Sequence, residues 1–496
     1  MARFPGPRIA GLTKWWLRWH EIRVGRRDPT IEVLHKKYGR LVQISPKQIS
    51  VKDNHGIRDI FMANRHLNRP SPLLMLHNYK SENLVSTVDG ELHQRRRKPL
   101  RSLYSARAVE TPEKYAVFAS CLDSLTGYID GEIKSDKVVD MFPMFRWLGA
   151  DISTQLALGK DYSLGIFADE ERRAQLKGDV QLLDDRIFSV PSALMLFFPR
   201  FIMWLDRVRT LPNWFDLSPS ESSIFTRSIR KHIAQLRKHE TIAAAGFETH
   251  AQRLMNHVHA QGYSDAIPDD KYIMSDTLDH ISAGTSTTAD VLCAAVFHLS
   301  HPKNIHRQQR LRDELAQSGI TSAATPSFSQ VKQVAYLECV IQETLRRNPP
   351  ISGSIERKVP PQTSVQVQGH TLHEGMEVSA QPYSVHRNEM AFSDAESWNP
   401  ERWDIPHHSE SYGMMRRHMM PFGAGPRMCI GMNVARVQLR LTLARIYSSF
   451  RTALAPDWFD QHGAVIDFDK KKSLIPSKNS MPIFFERLPS EGESVG

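Results

Sequence analysis

A short loop rich in glycine and proline, built around one cysteine, is the feature that constrains this chain most. The loop covers residues 422–431 and places Cys429 just ahead of a stretch in which apolar residues recur at helical spacing, at Val434, Val437 and Leu441. Unpaired backbone N–H groups and the macrodipole at such a helix N-terminus favour an anion. Because a free thiol titrates near about pH 8.5, the pattern predicts a cysteine of lowered pKa that binds metal as a thiolate.

The residues around this cysteine suit a loop that holds a flat ligand. Gly423, Gly425 and Pro426 favour a tight turn with unusual backbone angles, and Gly431 lets the backbone approach a ligand without a Cβ in the way. Arg427 adds a cation two residues from the sulfur. The remaining cysteines have no comparable setting, and we expect them to be small buried hydrophobic residues: Cys121, Cys293 and Cys339.

This loop resembles the haem-binding loop of the cytochrome P-450 family, whose pattern is Phe-x-x-Gly-x-Arg-x-Cys-x-Gly. Every defined position of that pattern matches residues 422–431. The resemblance implies that Cys429 is the axial ligand of the iron in haem b, that Arg427 pairs with a haem propionate, and that Phe422 packs beside the sulfur. It also implies that Gly423 and Gly431 contact the cofactor.

A second match lies on a predicted helix that ends before Pro349-Pro350 and carries Glu343 and Arg346 three residues apart. Taken alone, such a pair would be a solvated surface ion pair worth less than about 1 kcal/mol. It also resembles the Glu-x-x-Arg motif of the family, and residues 400–403, Pro-Glu-Arg-Trp, resemble the Pro-Glu-Arg-Phe element that follows it. The resemblance implies that Arg402 joins the pair in a buried network behind the haem.

A third match lies in the middle of a long helix predicted from Pro268 to Ser300, roughly 45 Å at about 1.5 Å per residue. Residues 283–288 read Ala-Gly-Thr-Ser-Thr-Thr, an unfavourable run for a helix because Gly costs about 1 kcal/mol relative to Ala and hydroxyls compete for backbone bonds. The run resembles the oxygen-binding kink of the family's central helix. By that resemblance, Ala283 and Gly284 make room above the iron.

The catalytic residues implied by this kink are Thr287 and Ser286. Thr287 occupies the position of the family's threonine, which hydrogen-bonds the bound oxygen and helps deliver protons. Ser286 occupies the position of the family's acid, which is the main departure from the pattern. Serine cannot carry the charge of a carboxylate or exchange protons as readily at neutral pH, so we expect water to bridge.

Further propionate ligands are predicted from smaller matches. His93 and Arg97 lie four residues apart in a segment that resembles the family's third helix, where such a pair binds propionates. Arg357 belongs to a run that resembles Arg-x-x-Pro, after the Glu-x-x-Arg helix. A solvated basic helix face is the alternative reading for the neighbouring Arg95, Arg96 and Lys98.

Substrate contacts are predicted from the same resemblance. They fall at residues 69–88, at the turn with Ile351 and Ser352, and at a late hairpin with Leu474 and Ile475, which together suggest a mostly apolar pocket. Residues 188–205 are strongly apolar but interrupted by prolines. They are predicted to form a substrate-entry region that touches a membrane surface, with buried core as the alternative.

The predicted fold is mainly α with small antiparallel β-sheets, the cytochrome P-450 fold, with the haem between the central long helix and the Cys-loop helix. Strand signals occur at 41–44, 365–367 and 483–485. We expect residues 1–27 to be an N-terminal hinge or linker without a membrane anchor, 28–488 to be a single haem domain and 489–496 to be a C-terminal tail. Four cysteines in 496 residues do not suggest a disulfide framework, so a reducing compartment is predicted.

The chain is basic, with a formal net charge of +10, but the positive residues are scattered and no nucleic-acid motif accompanies them. We therefore exclude nucleic acid and expect a flavoprotein electron donor, an NADPH-cytochrome P-450 reductase or a similar protein, to bind a basic surface. The candidate residues are Arg95, Arg96, Lys98 and Arg101. The expected location is intracellular, either on the cytosolic face of the endoplasmic reticulum or in the cytoplasm.

The predicted function is a haem-thiolate monooxygenase, most similar to filamentous-fungal members of the family that act in secondary metabolism. It would use O₂ and two electrons from the reductase to hydroxylate, epoxidise, desaturate or cyclise a small apolar molecule. One alternative is an isomerase, lyase or dehydratase that acts on a peroxide without O₂ or a reductase. Another is a haem sensor without catalytic activity.

Overall fold

The structure is a computed structural model that describes residues 4–24, 27–64, 67–70, 76–135, 137–188, 223–238, 246–455 and 480–488. Helices dominate these residues, as predicted. They are α1 (Trp15–Val24), α2 (Arg27–Tyr38), α3 (Asn54–Ile57), α4 (Gly90–Arg97), α5 (Ala106–Val109), α6 (Pro112–Lys134), α7 (Met141–Leu158), α8 (Glu170–Phe188), α9 (Ile224–Arg237), α10 (His250–Gln261), α11 (Asp270–Ser300), α12 (Ile305–Gln317), α13 (Phe328–Gln333), α14 (Ala335–Arg347), α15 (Pro382–Val385), α16 (Glu410–Arg417) and α17 (Met432–Ser449).

The strands form three small sheets. They are β1 (Leu41–Ser45), β2 (Gln48–Val51), β3 (Val139–Asp140), β4 (Ile355–Lys358), β5 (Ser364–Val367), β6 (His370–His373), β7 (Glu377–Ala380), β8 (Phe450–Leu454) and β9 (Pro482–Arg487). The sheet orders are β1-β2-β7-β4, β3-β9-β8 and β5-β6. All three predicted strand patches lie in strands, but β2 and β7 pair in parallel, so the largest sheet is mixed rather than antiparallel.

The long helix α11 begins and ends where local signals place it. The side chain of Asp269 accepts a hydrogen bond from the backbone N–H of Tyr272, which satisfies one of the free donors at the helix start. The helix ends at His301, directly before Pro302, because proline cannot continue the hydrogen-bond ladder. Its 31 residues span roughly 46 Å at about 1.5 Å per residue.

Helices α7 and α11 pack closely because each has a glycine at the contact. A Cβ on Gly284 would lie 2.2 Å from Ser153 Oγ. A Cβ on Gly149 would lie 2.8 Å from the carbonyl oxygen of Thr285 and 3.0 Å from that of Gly284. Gly149 is needed for the two backbones to approach, because the atoms that its Cβ would meet are backbone atoms. A Cβ at Gly284 would instead require the Ser153 side chain to move.

The two halves of α11 belong to two different apolar cores, one at each end of the helix. Residues 289–299 pack with the large core of Phe118, Phe145, Leu337 and Leu441, among others. Residues 272–281 pack with a second core that includes Leu84, Leu100, Ile229 and Leu254. Among the described residues, neither core includes residues 282–288. The unusual Ala283–Thr288 run therefore lies between the two cores.

Several further predictions can be compared with this fold. Cys121, Cys293 and Cys339 are buried, as expected. No helix within the described part of the chain is both long enough and apolar enough to cross a membrane. Leu474, Ile475, residues 189–205 of the predicted entry region and the tail 489–496 lie outside the described residues.

Candidate active site

The loop that carries Cys429 is shaped by one obligatory glycine. Gly425 starts a short 3-10 helix, Gly425–Arg427, at φ +72°, and a Cβ there would lie 1.9 Å from the carbonyl oxygen of Phe61. Only glycine fits this position. The loop closes where the N–H of Cys429 donates to the carbonyl oxygen of Phe422 (2.8 Å), and α17 begins immediately afterwards with Gly431 as its N-cap residue.

The thiol of Cys429 is set apart from the other three cysteines because it is accessible, whereas they are buried. Protein nevertheless surrounds it, so its open surface faces an internal space. Burial raises the pKa of this thiol, while the N–H of Gly431 and the positive charge of Arg97 lower it. The predicted net lowering of the pKa is therefore wrong for the protein alone. The start of α17 lowers the pKa of Cys429 as expected, but this effect is weaker than the opposing effect of burying a thiolate. A metal cation bound to the sulfur would offset the cost of burial.

Basic side chains converge next to this space. His93 on α4 is buried, and its Nδ1 has no hydrogen-bond partner among the described residues. Burial and the charges of four arginines lower the pKa of His93 to about 2. The four are Arg427, Arg69, Arg97 and Arg357. Three of the four were predicted from the sequence as propionate ligands; Arg69 was not.

Two of these guanidinium groups are held by backbone oxygens rather than by acids. Arg427 donates to the carbonyls of Thr87 (2.7 Å), Val88 (2.8 Å) and Asp89 (2.8 Å). Arg69 donates to the carbonyl of Val85 (2.6 Å). Such bonds fix the position of each cation but do not neutralise it. Asp279 and Asp89 act on the charges of Arg69 and Arg427 respectively, without forming an ion pair with them among the described residues.

The charge balance of this cluster indicates what it binds. Burial lowers the pKa of Arg69 to about 10, that of Arg427 to about 9, and that of Arg357 well below its usual value. Within the described residues, none of these three arginines, nor Arg97, forms an ion pair with a carboxylate. A group with two or more negative charges would satisfy them. Haem b carries two propionates, and the accessible Cys429 thiol lies in the same region, so the residues present fit this cofactor.

The middle of α11 supplies the opposite wall. Ala283 is exposed although it lies in the centre of a buried helix, and the Thr287 hydroxyl donates to its carbonyl oxygen (2.8 Å). Ser286, the next residue toward the N-terminus, is partly buried. A side chain at Gly284 would face α7, so this glycine already serves helix packing, and its contact with the haem stays a prediction.

One acidic residue near this wall was missed by the sequence reasoning. Asp279 lies one turn before Ala283 on α11, and burial raises the pKa of its carboxyl to about 7. The positive charge of Arg69 acts against this shift. A signal for Asp279 was present, because it lies four residues before Ala283 on the same face of the predicted helix.

The structure brings Glu343, Arg346 and Arg402 together in a fully connected network. Glu343 Oε1 accepts from Arg346 Nη2 (2.8 Å), Arg402 Nε (3.0 Å) and the N–H of Asn399 (2.8 Å). Its Oε2 accepts from Arg346 Nε (2.8 Å) and Trp403 Nε1 (2.9 Å). Both Glu343 and Arg346 have fully buried side chains.

This network reaches the cysteine loop through a histidine. Arg346 Nη1 donates to the carbonyl oxygen of His386 (3.0 Å), and Nδ1 of His386 donates to the carbonyl oxygen of Arg346 (3.0 Å). Nε2 of His386 then accepts from the N–H of Met420 (2.9 Å), two residues before Phe422. Changes at Glu343 can therefore alter the position of the loop that carries Cys429.

The predicted substrate residues have different surroundings. Ser352 is buried, and its hydroxyl donates to Asp28 Oδ2 (2.7 Å) on α2, so it holds the turn in place. Ile351 is 60% exposed. The structure therefore ties Ser352 to the fold and leaves Ile351 accessible.

The buried arginines beside an accessible cysteine fit the binding site of a haem-thiolate protein. A model of the cytochrome P-450 family matches residues 9–478, so the chain belongs to the cytochrome P-450 family. Membership confirms the expectation drawn from the Cys429 loop.

Relatives of this chain occur in several fungi. It is 27% identical to the cytochrome P-450 monooxygenase hkm5 of Aspergillus hancockii, over 91% of this chain and 84% of that protein. It is 25% identical to the cytochrome P-450 monooxygenase BOT1 of Botryotinia fuckeliana, over 94% of this chain and 89% of that protein. It is 27% identical to the cytochrome P-450 monooxygenase TRI4 of Trichoderma arundinaceum, over 96% of this chain and 90% of that protein. The names of these relatives agree with the predicted enzyme class, a cytochrome P-450 monooxygenase.

Proposed function

We propose that this protein holds haem b through Cys429 and oxidises a small apolar molecule with O₂ and electrons from an NADPH-dependent flavoprotein. The observation that carries the proposal is the pairing of an accessible thiol with buried arginines that lack acidic partners. The fungal sources of the relatives support a secondary-metabolite intermediate as the substrate. Hydroxylation is the leading reaction, with epoxidation, desaturation and cyclisation as variants.

When bound, haem supplies oxygen activation, which no protein side chain provides. The chain's own residues bind and orient the cofactor. Cys429 would ligate the iron as a thiolate, and His93 with Arg69, Arg97, Arg357 and Arg427 would hold the propionates.

Proton handling would fall to the Thr287 hydroxyl, which can accept a proton from water at Oγ1 and pass its own on. This hydroxyl donates to the carbonyl oxygen of Ala283 (2.8 Å), so its oxygen lone pairs stay available. Asp279 lies eight residues away, roughly 12 Å along the helix axis at about 1.5 Å per residue. That separation is too long for a direct hydrogen bond, so water must connect Thr287 to Asp279.

The electron donor would dock on the basic surface near α4, but one predicted contact residue must be removed from it. Arg96 is buried and pairs with Glu82, Thr87 Oγ1 (2.7 Å) and the carbonyl of Ala266 (3.1 Å), so it is structural. Lys98 and Arg101 are exposed. Charge reversal at these two positions should slow reduction in a salt-dependent way, whereas rates indifferent to salt and charge would refute this docking surface.

The first test is the absorption spectrum of the dithionite-reduced, carbon-monoxide-bound protein. A strongly red-shifted Soret band that Cys429→Ala abolishes and the buried-cysteine control Cys339→Ala retains would support thiolate ligation. A band unaffected by Cys429→Ala would refute it.

The second test separates the monooxygenase from an enzyme that rearranges peroxides. Turnover that requires NADPH, a reductase and O₂ supports the proposal, and Thr287→Ala should then divert electrons into hydrogen peroxide. The alternative is an isomerase, lyase or dehydratase that uses a peroxide substrate, and the absence of an acid at Ser286 is the observation that favours it. Turnover without NADPH or O₂ would establish that alternative instead.

A further inference from the structure

A second cluster of ligand-type side chains lies on α11, outside the haem-binding residues. His250 at the start of α10 meets Asp276 and His280 on α11, with Tyr104 beside them. Nε2 of His250 is 3.1 Å from Asp276 Oδ2, and Nδ1 of His280 is 3.8 Å from the same oxygen. The side chains of His250 and Asp276 are no more than 1% exposed, and that of His280 is 10% exposed.

The spacing of these atoms suits a small divalent cation. One nitrogen or oxygen from each of the three residues can be chosen so that all three atoms lie within 4.8 Å of one another. Zinc bonds to nitrogen and carboxylate oxygen are about 2.0–2.2 Å, so two ligands at a tetrahedral angle are roughly 3.4 Å apart. The 3.1 Å between His250 Nε2 and Asp276 Oδ2 is close to that value. In His280 the nitrogen available to a metal ion is Nε2, because Nδ1 donates to the backbone carbonyl of Asp276.

The surrounding groups orient the candidate ligands. The N–H of Leu84 donates to Asp276 Oδ1 (2.6 Å), which leaves Oδ2 directed at the histidines. Tyr104 Oη lies 3.0 Å from His250 Nδ1, on the side of the ring away from Asp276. Partners of this kind fix the orientation of metal-binding histidines and carboxylates in known sites.

A purely structural hydrogen-bond network explains the cluster less completely. His280 Nδ1 bonds to the backbone carbonyl of Asp276 (2.8 Å), but its Nε2 is buried and has no partner among the described residues. Leaving such a group unsatisfied costs about 1–3 kcal/mol. The rings of His250 and His280 also lie only 4.0 Å apart, centroid to centroid, against one carboxylate.

We infer that His250, Asp276 and His280 form a Zn²⁺ site that joins the N-terminus of α10 to α11, with the fourth position open to water. Two imidazoles and one carboxylate are the ligand set that Zn²⁺ accepts among common divalent ions. The site would fix α11 one turn before Ala283. It does not depend on haem binding or on the proposed oxidation.

The experiment uses the purified full-length holoprotein, stripped with a chelator and then given one equivalent of Zn²⁺ before gel filtration. Atomic emission should find about one zinc per chain, with haem iron as the internal standard. The midpoint of thermal unfolding should shift upward when zinc is bound. Co²⁺ in place of Zn²⁺ should give the visible absorption bands of a tetrahedral site.

Variants show which residues are responsible. His280→Ala removes a ligand whose Nε2 has no partner, so it should fold and weaken zinc binding by at least about 100-fold. Asp276→Asn should do the same, and its haem spectrum reports whether it has folded. His259→Ala changes an exposed histidine on α10 and should retain one zinc. Less than about 0.1 zinc per wild-type chain, or equal zinc in His280→Ala and wild type, would overturn the inference.

Discussion

Replacing Glu343 with glutamine should destabilise the protein far more than the same change at Glu338, five residues earlier on the same helix. The carboxylate of Glu343 accepts five hydrogen bonds and faces two arginines, Arg346 and Arg402. Glutamine keeps one acceptor oxygen and turns an NH₂ group toward donors. If that group takes the place of Oε2, Arg346 Nε and Trp403 Nε1 lose their acceptor. Breaking a buried ion pair in this way costs about 3–5 kcal/mol.

The control is Glu338→Gln on α14. Glu338 accepts from Arg440 Nε (2.9 Å) and Nη2 (2.7 Å), but its side chain is 35% exposed, so the same substitution should cost about 1 kcal/mol or less. Urea unfolding of the two variants and wild type measures the difference, and haem retention during gel filtration reports the effect on the Cys429 loop. Equal free energies of unfolding for Glu343→Gln and Glu338→Gln would refute the reasoning.

Two further predictions concern helix packing and acid stability. Gly149→Ala places a Cβ against the backbone of α11 and should lower the free energy of unfolding by about 1–3 kcal/mol. Gly127→Ala on α6, with nothing within 4 Å of its Cβ, should raise it by up to about 1 kcal/mol. Thermal unfolding midpoints that shift in the same direction for both variants would contradict this prediction. Burial lowers the pKa of His35 from 6.5 to about 4, so the neutral ring stabilises the fold above pH 6.5 and this stability is lost as the pH falls toward 4. Relative to His35→Gln, wild type should lose on the order of 2–3 kcal/mol between pH 7 and 4.5, and parallel pH profiles would show that His35 is not responsible.

Local signals made the fold largely predictable from sequence. The long helix was expected over 268–300 and occurs at Asp270–Ser300, because its capping acid and its terminating proline are adjacent in the chain. The Cys429 loop was found for the same reason. By contrast, the parallel pairing of β2 with β7 joins residues more than 300 positions apart, and no local pattern specifies it.

The parts of the site that were missed depend on tertiary structure. Arg69 lies outside any helix or strand, and only the fold places it beside His93. His250 and Asp276 are 26 residues apart on different helices, so their contact is invisible in the sequence. Arg96 was wrongly predicted to lie on the exposed docking surface. The sequence of α4 is basic throughout and suggests a solvated helix face, whereas in the structure Arg96 is buried and pairs with Glu82.

The arginine cluster links cofactor binding to folding. Burying several guanidinium groups without acids opposes folding, since each charge loses water and repels the others. Backbone carbonyls hold Arg69 and Arg427 in position but do not neutralise them. A dianionic cofactor removes this cost only in the folded state, so its binding energy adds directly to stability. The arginines expected to bind the propionates therefore lower the stability of the apoprotein. Protein that retains its haem should resist unfolding better than the apoprotein.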